Sequence, residues 1–193
     1  MAFNITGFQG QLTGGGARAN LFQVTITNPV DTGTFLKSAF MVQAAQIPEA
    51  TLGVATQNYF GRAIKYAGNR TFADWSTTII NDEDFLIRNG LEKWSNSING
   101  LQTNLRAADL RTAGQYKSDA TVTQFSKDGQ PLRTYAFYGI WPVSIGAIAL
   151  DWSTNDTIET FECTFSYDYW TAGEGIVGQV GSDTGLGTTN LTT

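Results

Sequence analysis

Apolar and polar residues alternate with a period of two through much of this chain. Phe161, Cys163, Phe165, Tyr167 and Tyr169 fall on one face of the segment 157–169, and Thr160, Glu162, Thr164, Ser166 and Asp168 on the other. Because successive strand residues point to opposite sides, that pattern predicts a half-buried β-strand closing the domain. Phe22, Val24 and Ile26 alternate with Gln23, Thr25 and Thr27 until Asn28-Pro29 ends the run. Further strands are predicted over 35–46, stopped by Pro48, and over 71–80 with Phe72, Trp75 and Ile79. Two more, over 116–125 and 132–141, are joined across Asp128-Gly129, a strong hairpin dipeptide. Ile148, Leu150 and Trp152 alternate with Ala149 and Asp151 and predict another strand.

One segment has a different period. Ile87, Leu91, Trp94 and Ile98 are spaced as one helical stripe, which must pack on a sheet. Asn81 is the expected cap, with Asp82, Glu83 and Asp84 in the first turn, where negative charge complements the helix dipole, and Gly100 at the stop. The fold class that follows is mainly β: an antiparallel β-sandwich or small barrel with one flanking α-helix.

Composition narrows the function. The chain has 193 residues, a length for one domain with a real core, and is 41% hydrophobic and 12% aromatic, which excludes a disordered chain. It has no histidine and one cysteine, Cys163. The usual general base, the commonest metal ligand, a serine triad and a zinc site are therefore missing, and an internal disulfide is impossible. Cys163 sits on an apolar strand face and reads as a small buried hydrophobe. Met1-Ala2-Phe3-Asn4 shows no basic region followed by an apolar run, so no signal peptide is expected. No stretch approaches the roughly 18 apolar residues of a spanning helix, so no membrane anchor is expected either. The net charge of −5 opposes any general affinity for nucleic acid.

The remaining candidates for chemistry have plainer readings. Gly14-Gly15-Gly16 follows no predicted strand and precedes no Gly-Lys-Ser/Thr, so it reads as linker rather than phosphate cradle. The acidic triplet lacks the alternating ligands and central glycine of a calcium loop. Glu159 and Glu162, three apart on a strand, face opposite sides and make a poor glycosidase pair. Five tryptophans invite comparison with a carbohydrate-binding β-sandwich module, but four of them sit on strands or a helix stripe at core-facing positions. The chain reads as a builder of surface, without an enzyme's site and without a cofactor.

The odd piece is the segment 48–71. It holds Arg62, Lys65 and Arg70, a quarter of the basic residues, beside Tyr59, Phe60 and Tyr66, and Gly53, Gly61 and Gly68 are expected to break it into short extended pieces. A basic, aromatic loop on an acidic protein suits docking on an acidic face of another copy. The plainer alternative is a solvated surface hairpin.

Ten short motifs then fall in an order that resembles the tail tube protein family of contractile-tailed bacteriophages. They are Ala19-Asn20-Leu21-Phe22-Gln23-Val24, Gln46-Ile47-Pro48, Tyr59-Phe60-Gly61-Arg62, Ala67-Gly68-Asn69-Arg70-Thr71-Phe72, Asn81-Asp82-Glu83-Asp84-Phe85 and Leu91-Glu92-Lys93-Trp94. Downstream come Tyr116-Lys117-Ser118-Asp119-Ala120, Leu132-Arg133-Thr134-Tyr135, Gly139-Ile140-Trp141-Pro142 and Asp168-Tyr169-Trp170.

The resemblance implies a protomer that closes into a hexameric ring with a continuous inner β-barrel, and rings that stack into a tube. It implies a virion component, assembled in the host bacterial cytoplasm, that serves genome delivery. The implied partners are further copies, the tail sheath protein, baseplate and tail-terminator proteins, the tape-measure protein, and then DNA in the lumen without specific binding. The same fold serves headless contractile injection and secretion systems. Ring closure removes exposed sheet edges, and an acidic balance lets DNA slide without sticking, so both sit well with the residues. The helix face with Glu92, Lys93 and Asn96 becomes the candidate sheath-facing element. The tube domain is expected over 18–170, between a flexible glycine-rich arm over 1–17 and a Gly/Thr-rich tail over 171–193.

Overall fold

A computed structural model of the chain describes residues 4–31 and 34–173. Its elements, in order, are α1 (Ile5–Gln11), a short 3-10 turn (Thr13–Gly15), β1 (Phe22–Ile26), α2 (Thr34–Met41), β2 (Val42–Ala45), β3 (Ala50–Tyr59) and β4 (Arg62–Phe72). They continue as β5 (Trp75–Ile80), α3 (Leu86–Ile98), α4 (Ala113–Tyr116), β6 (Ser118–Phe125), β7 (Pro131–Ile145), β8 (Thr160–Ser166) and β9 (Tyr169–Gly173).

All strand pairings are antiparallel, and the long strand β7 belongs to two sheets. Its first part lies between β6 and β9, with β1 beyond β6. Its last part pairs β8, which continues to β5 and β2. The handover occurs at Gly139, which is skipped in the β6–β7 register and has a φ of 68°. A side chain there would run into the Asp168 carboxylate, which Lys117 Nζ holds at 2.6 Å. Glycine thus lets one strand turn the corner between the two sheets.

The core fills the angle between them. Trp75 stacks on Phe137 with ring centroids 4.6 Å apart and touches Phe165 at 5.5 Å. Ile79, Ile140, Val24 and Cys163 are buried in the same cluster. The predicted face holds, with Phe161, Cys163 and Phe165 of β8 and Tyr167 just beyond it inside, while Tyr169 begins β9 and is exposed. Burial pushes the Cys163 thiol up to about 12, so it packs as a hydrophobe. The helical stripe also holds: Ile87, Leu91 and Trp94 are buried, Ile98 packs against them, and the Trp94 indole N–H donates to the Tyr116 carbonyl at 2.8 Å.

Five expectations are corrected. Residues 35–46 are not one strand: helix α2 occupies most of that span and only Val42–Ala45 is extended. There the buried Ser38 hydroxyl accepts the Ile26 N–H, docking the helix on β1. The segment 71–80 divides at Ala73-Asp74 into the end of β4 and all of β5. Ile148, Leu150 and Trp152 form no strand: the chain leaves the sheet at Gly146 and pairs again only from Thr160. Asp82, Glu83 and Asp84 precede the helix instead of opening it, since Asn81 stays with the sheet. Its N–H donates to the Glu159 carbonyl at 2.9 Å and its amide to the Glu159 carboxylate. The fifth concerns the segment 48–71, described below.

At the ends, α1 forms within the expected arm but buries no residue, and β9 carries the sheet to Gly173. The expected tail from 174 onward lies outside the described residues.

Candidate assembly surfaces

Where short broken pieces were expected, the chain makes one long hairpin. β3 and β4 run in register from Ala50 opposite Phe72 to Tyr59 opposite Arg62 and pair with no other strand among the described residues. Gly53 and Gly68 do not interrupt it. They face each other at a bulge, and a Cβ on Gly68 would stand 3.0 Å from the Gly53 backbone, closer than such atoms pack. Gly61 does turn the chain. Phe60 and Gly61 have φ of 46° and 76°, the two left-handed residues of a tight hairpin turn. Phe60 is an unusual choice there, since a side chain in this region is strained by about 1–2 kcal/mol. It is 90% exposed and touches the edge of the Tyr59 ring at 4.5 Å.

Register sorts the candidate docking residues. Directly opposed residues share a face, so Tyr59 with Arg62, Gln57 with Ile64 and Ala55 with Tyr66 lie on one side. Lys65 lies with Thr56 on the other, and Arg70 sits nearer the base opposite Leu52. The structure therefore brings Tyr59, Arg62 and Tyr66 together, sets Phe60 at the tip, and separates Lys65 and Arg70 from them. Arg62, Lys65 and Arg70 make none of the ion pairs found among the described residues. At the base, Phe72 packs on Tyr167 with centroids 5.9 Å apart.

The second candidate surface is the outer face of α3. Glu92, Lys93 and Asn96 are exposed there, yet each also has a partner in the protomer. Glu92 pairs with Arg88 at 2.8 Å, Lys93 approaches Asp31 at 3.6 Å, and the Asn96 side chain accepts the Leu101 N–H at 3.0 Å.

Two residues that the sequence pattern did not single out hold this helix in place. Arg88 donates to the Gly146 carbonyl at 2.8 Å and lies 4.9 Å over the Phe161 ring, tying α3 to the end of β7 and to β8. Lys37 of α2 bonds Asp82 and Asp84. Hydrogen bonds from Lys37 hold both carboxyls below their ordinary range, and both carboxylates raise Lys37 in turn. The only sequence signal for either was a lone cation beside an apolar stripe.

Among the described residues no group of three or more histidine, cysteine or acidic side chains is placed to hold a metal ion. A sugar platform needs at least two exposed tryptophans on one face. Trp75 and Trp94 are buried, Trp141 and Trp170 pack against the core, and Trp152 alone stands free.

The family model for phage tail tube proteins matches residues 17–173, the whole strand framework. The chain belongs to the phage tail tube protein family. It is 33% identical over 155 residues to tail tube protein gp19 of Enterobacteria phage T4, covering 80% of this chain and 90% of that one. To the tail tube protein of Serratia phage KSP90 it is 27% identical over 169 residues, covering 83% and 92%. The fold also resembles that of a chain in the extended sheath–tube complex of an extracellular contractile injection system, PVC. That match has a TM-score of 0.58 at 14% identity and covers 91% of this chain and all of the other. The tube-terminating cap of the anti-feeding prophage gives 0.61 at 16% identity, covering 82% and 91%.

Proposed function

We propose that this tail tube protein closes into six-membered rings that stack into a tube within a contractile sheath, with the β3–β4 hairpin as the docking element between copies. The observation that carries this is the hairpin itself. It pairs with no other strand in the protomer, displays Tyr59, Phe60 and Tyr66 to water, and holds three cations on a chain of net charge −5. An isolated two-stranded hairpin is marginal in water, so such a surface is built to be covered.

The sheets supply the lateral contacts. β1, β9 and β2 each pair on one side only, leaving edges that ring closure would satisfy by joining neighbouring sheets into one inner barrel. The domain over 18–170 builds the ring, and the arm and tail flank it. Sheath protein covers the outside against Glu92, Lys93 and Asn96, and baseplate and terminator proteins close the ends. Tape-measure protein, then DNA, occupies a lumen whose acidic balance prevents lasting contact with phosphate. Assembly takes place in the host cytoplasm, and the role calls for neither catalysis nor a cofactor.

Negative-stain microscopy across a concentration series, paired with sedimentation velocity, tests the reading. Six-fold rings or hollow tubes are the expected result. A strict monomer at every concentration, even with a preformed baseplate added, would overturn it.

A further inference from the structure

A further exposed apolar surface lies in the loop 146–159 between β7 and β8. Leu150 and Ile158 are largely exposed and Trp152 fully so. The loop is shaped rather than slack there. The Asp151 carboxylate accepts the backbone N–H and the hydroxyl of Ser153, both at 2.9 Å, and the Asp151 carbonyl accepts the Thr154 hydroxyl at 2.8 Å. Those bonds hold the Asp151 carboxyl below its ordinary range, so it stays charged. The loop contains Asp151, Asp156 and Glu159 and no lysine or arginine, whereas the hairpin 50–72 contains Arg62, Lys65 and Arg70 and no acid. Each surface combines exposed aromatic or aliphatic residues with one sign of charge, and the signs are opposite.

Their positions also match. β5 pairs β8 with Trp75 opposite Phe165 at one end and Ile80 opposite Thr160 at the other. The hairpin joins the sheet at the Trp75 end, where β4 stops at Phe72. The β7–β8 loop returns at the Thr160 end. The two surfaces therefore sit at opposite ends of the same strands, about 17 Å apart along a six-residue strand before either projection is added. Complementary patches at opposite poles make a head-to-tail contact, which repeats without closing and yields a stack.

We infer that the β3–β4 hairpin of one copy docks on the β7–β8 loop of the next, with Phe60, Tyr59 and Tyr66 against Trp152, Leu150 and Ile158, and Arg62, on the same face, toward Asp151 and Asp156. This rests on the stacking proposed above and names the surface that receives the hairpin.

A charge-exchange experiment on the full chain tests it. One variant, R62E/K65E, makes the hairpin acidic; the other, D151N/N155K/D156K, makes the loop basic despite Glu159, while Asn at 151 keeps the acceptor for Ser153. Each alone is expected to raise the concentration needed for tube growth about tenfold or more, because its own hairpin and loop then repel. Mixed in equal amounts, they are expected to grow tubes, since each hairpin meets an oppositely charged loop. Circular dichroism of both variants is expected to match the parent. Normal growth of either variant alone, or failure of the mixture to recover, overturns the pairing even while the parent chain forms tubes. No tubes from the parent chain, with or without baseplate, overturns the stacking reading instead. As a second readout, oxidised F60C/W152C tubes are expected to give a ladder of trimers and longer species on a non-reducing gel. Intact tubes with no ladder, or dimers from F60C alone, overturn it as well.

Discussion

The sheet β7–β8–β5 and the hairpin β3–β4 use the same kinds of residue to opposite ends. In the first, Trp75, Ile79, Phe161 and Phe165 are buried within a single cluster. In the second, Leu52, Val54, Tyr59, Phe60, Ile64 and Tyr66 are all exposed, although β3 and β4 are longer than β5 and β8. Strand propensity therefore says that a segment will extend, while only the presence of a second layer says whether its apolar face stabilises the protomer. The sheet has that layer in α3 and the facing strands. The hairpin has none, and its apolar area stays exposed to water in the protomer.

Substitutions that hit one region and spare the other separate the two roles. Trp75→Ala is expected to cost about 3–5 kcal/mol, the range for emptying a fully buried large aromatic site. Urea unfolding followed by tryptophan fluorescence reads it directly. Arg88→Met keeps the length of the side chain but leaves the Gly146 carbonyl and Glu92 without their donor. A loss of about 1–3 kcal/mol is expected in the same assay, since a charged hydrogen bond to a half-buried group is removed.

The hairpin should behave in the reverse manner. Arg62→Glu or Arg70→Glu is expected to shift unfolding by less than about 0.5 kcal/mol, as for exposed sites without partners. The same variants are expected to weaken ring stacking severalfold in a pelleting assay. Equal damage to fold and assembly would erase the contrast between the regions.

The smallest effect is expected from the Lys37 cluster. Asp82 and Asp84 titrate below their ordinary value near 3.8, so their contribution is present at neutral pH. It is lost as pH falls through the depressed folded values. Lys37 is raised above 10.5, so its part is present below that pH and is lost only in stronger alkali. Lys37→Met should therefore lower the urea midpoint slightly at pH 7 and leave it unchanged in strong acid, where both carboxyls are neutral.

Legibility in the sequence follows a physical line. β1, β8, the β6–β7 hairpin with Gly129 in its turn, and the stripe of α3 are readable because each buries one face, and burial imposes a period. Residues 35–46 contain helix formers such as Lys37, Ala39 and Met41 among alternating apolar positions, so the period alone does not decide between helix and strand. Ile148, Leu150 and Trp152 alternate as a strand would but pair with no strand. The docking candidates were recognisable as a group by composition. Their division between two faces was not, because it depends on the register of β3 against β4 and on a bulge at Gly53 and Gly68.

By itself, then, the sequence determined the family, the mainly β class, the core face of most strands and the lack of histidine chemistry. These depend on residue type and short-range spacing. The tertiary structure decided which apolar residues are core and which are surface. It turned β7 between two sheets at Gly139, bound the acidic triplet to Lys37, and set the hairpin and the β7–β8 loop at opposite ends of β5 and β8. Those outcomes rest on contacts between residues tens of positions apart, and no local period encodes which distant strand will be there to receive a side chain.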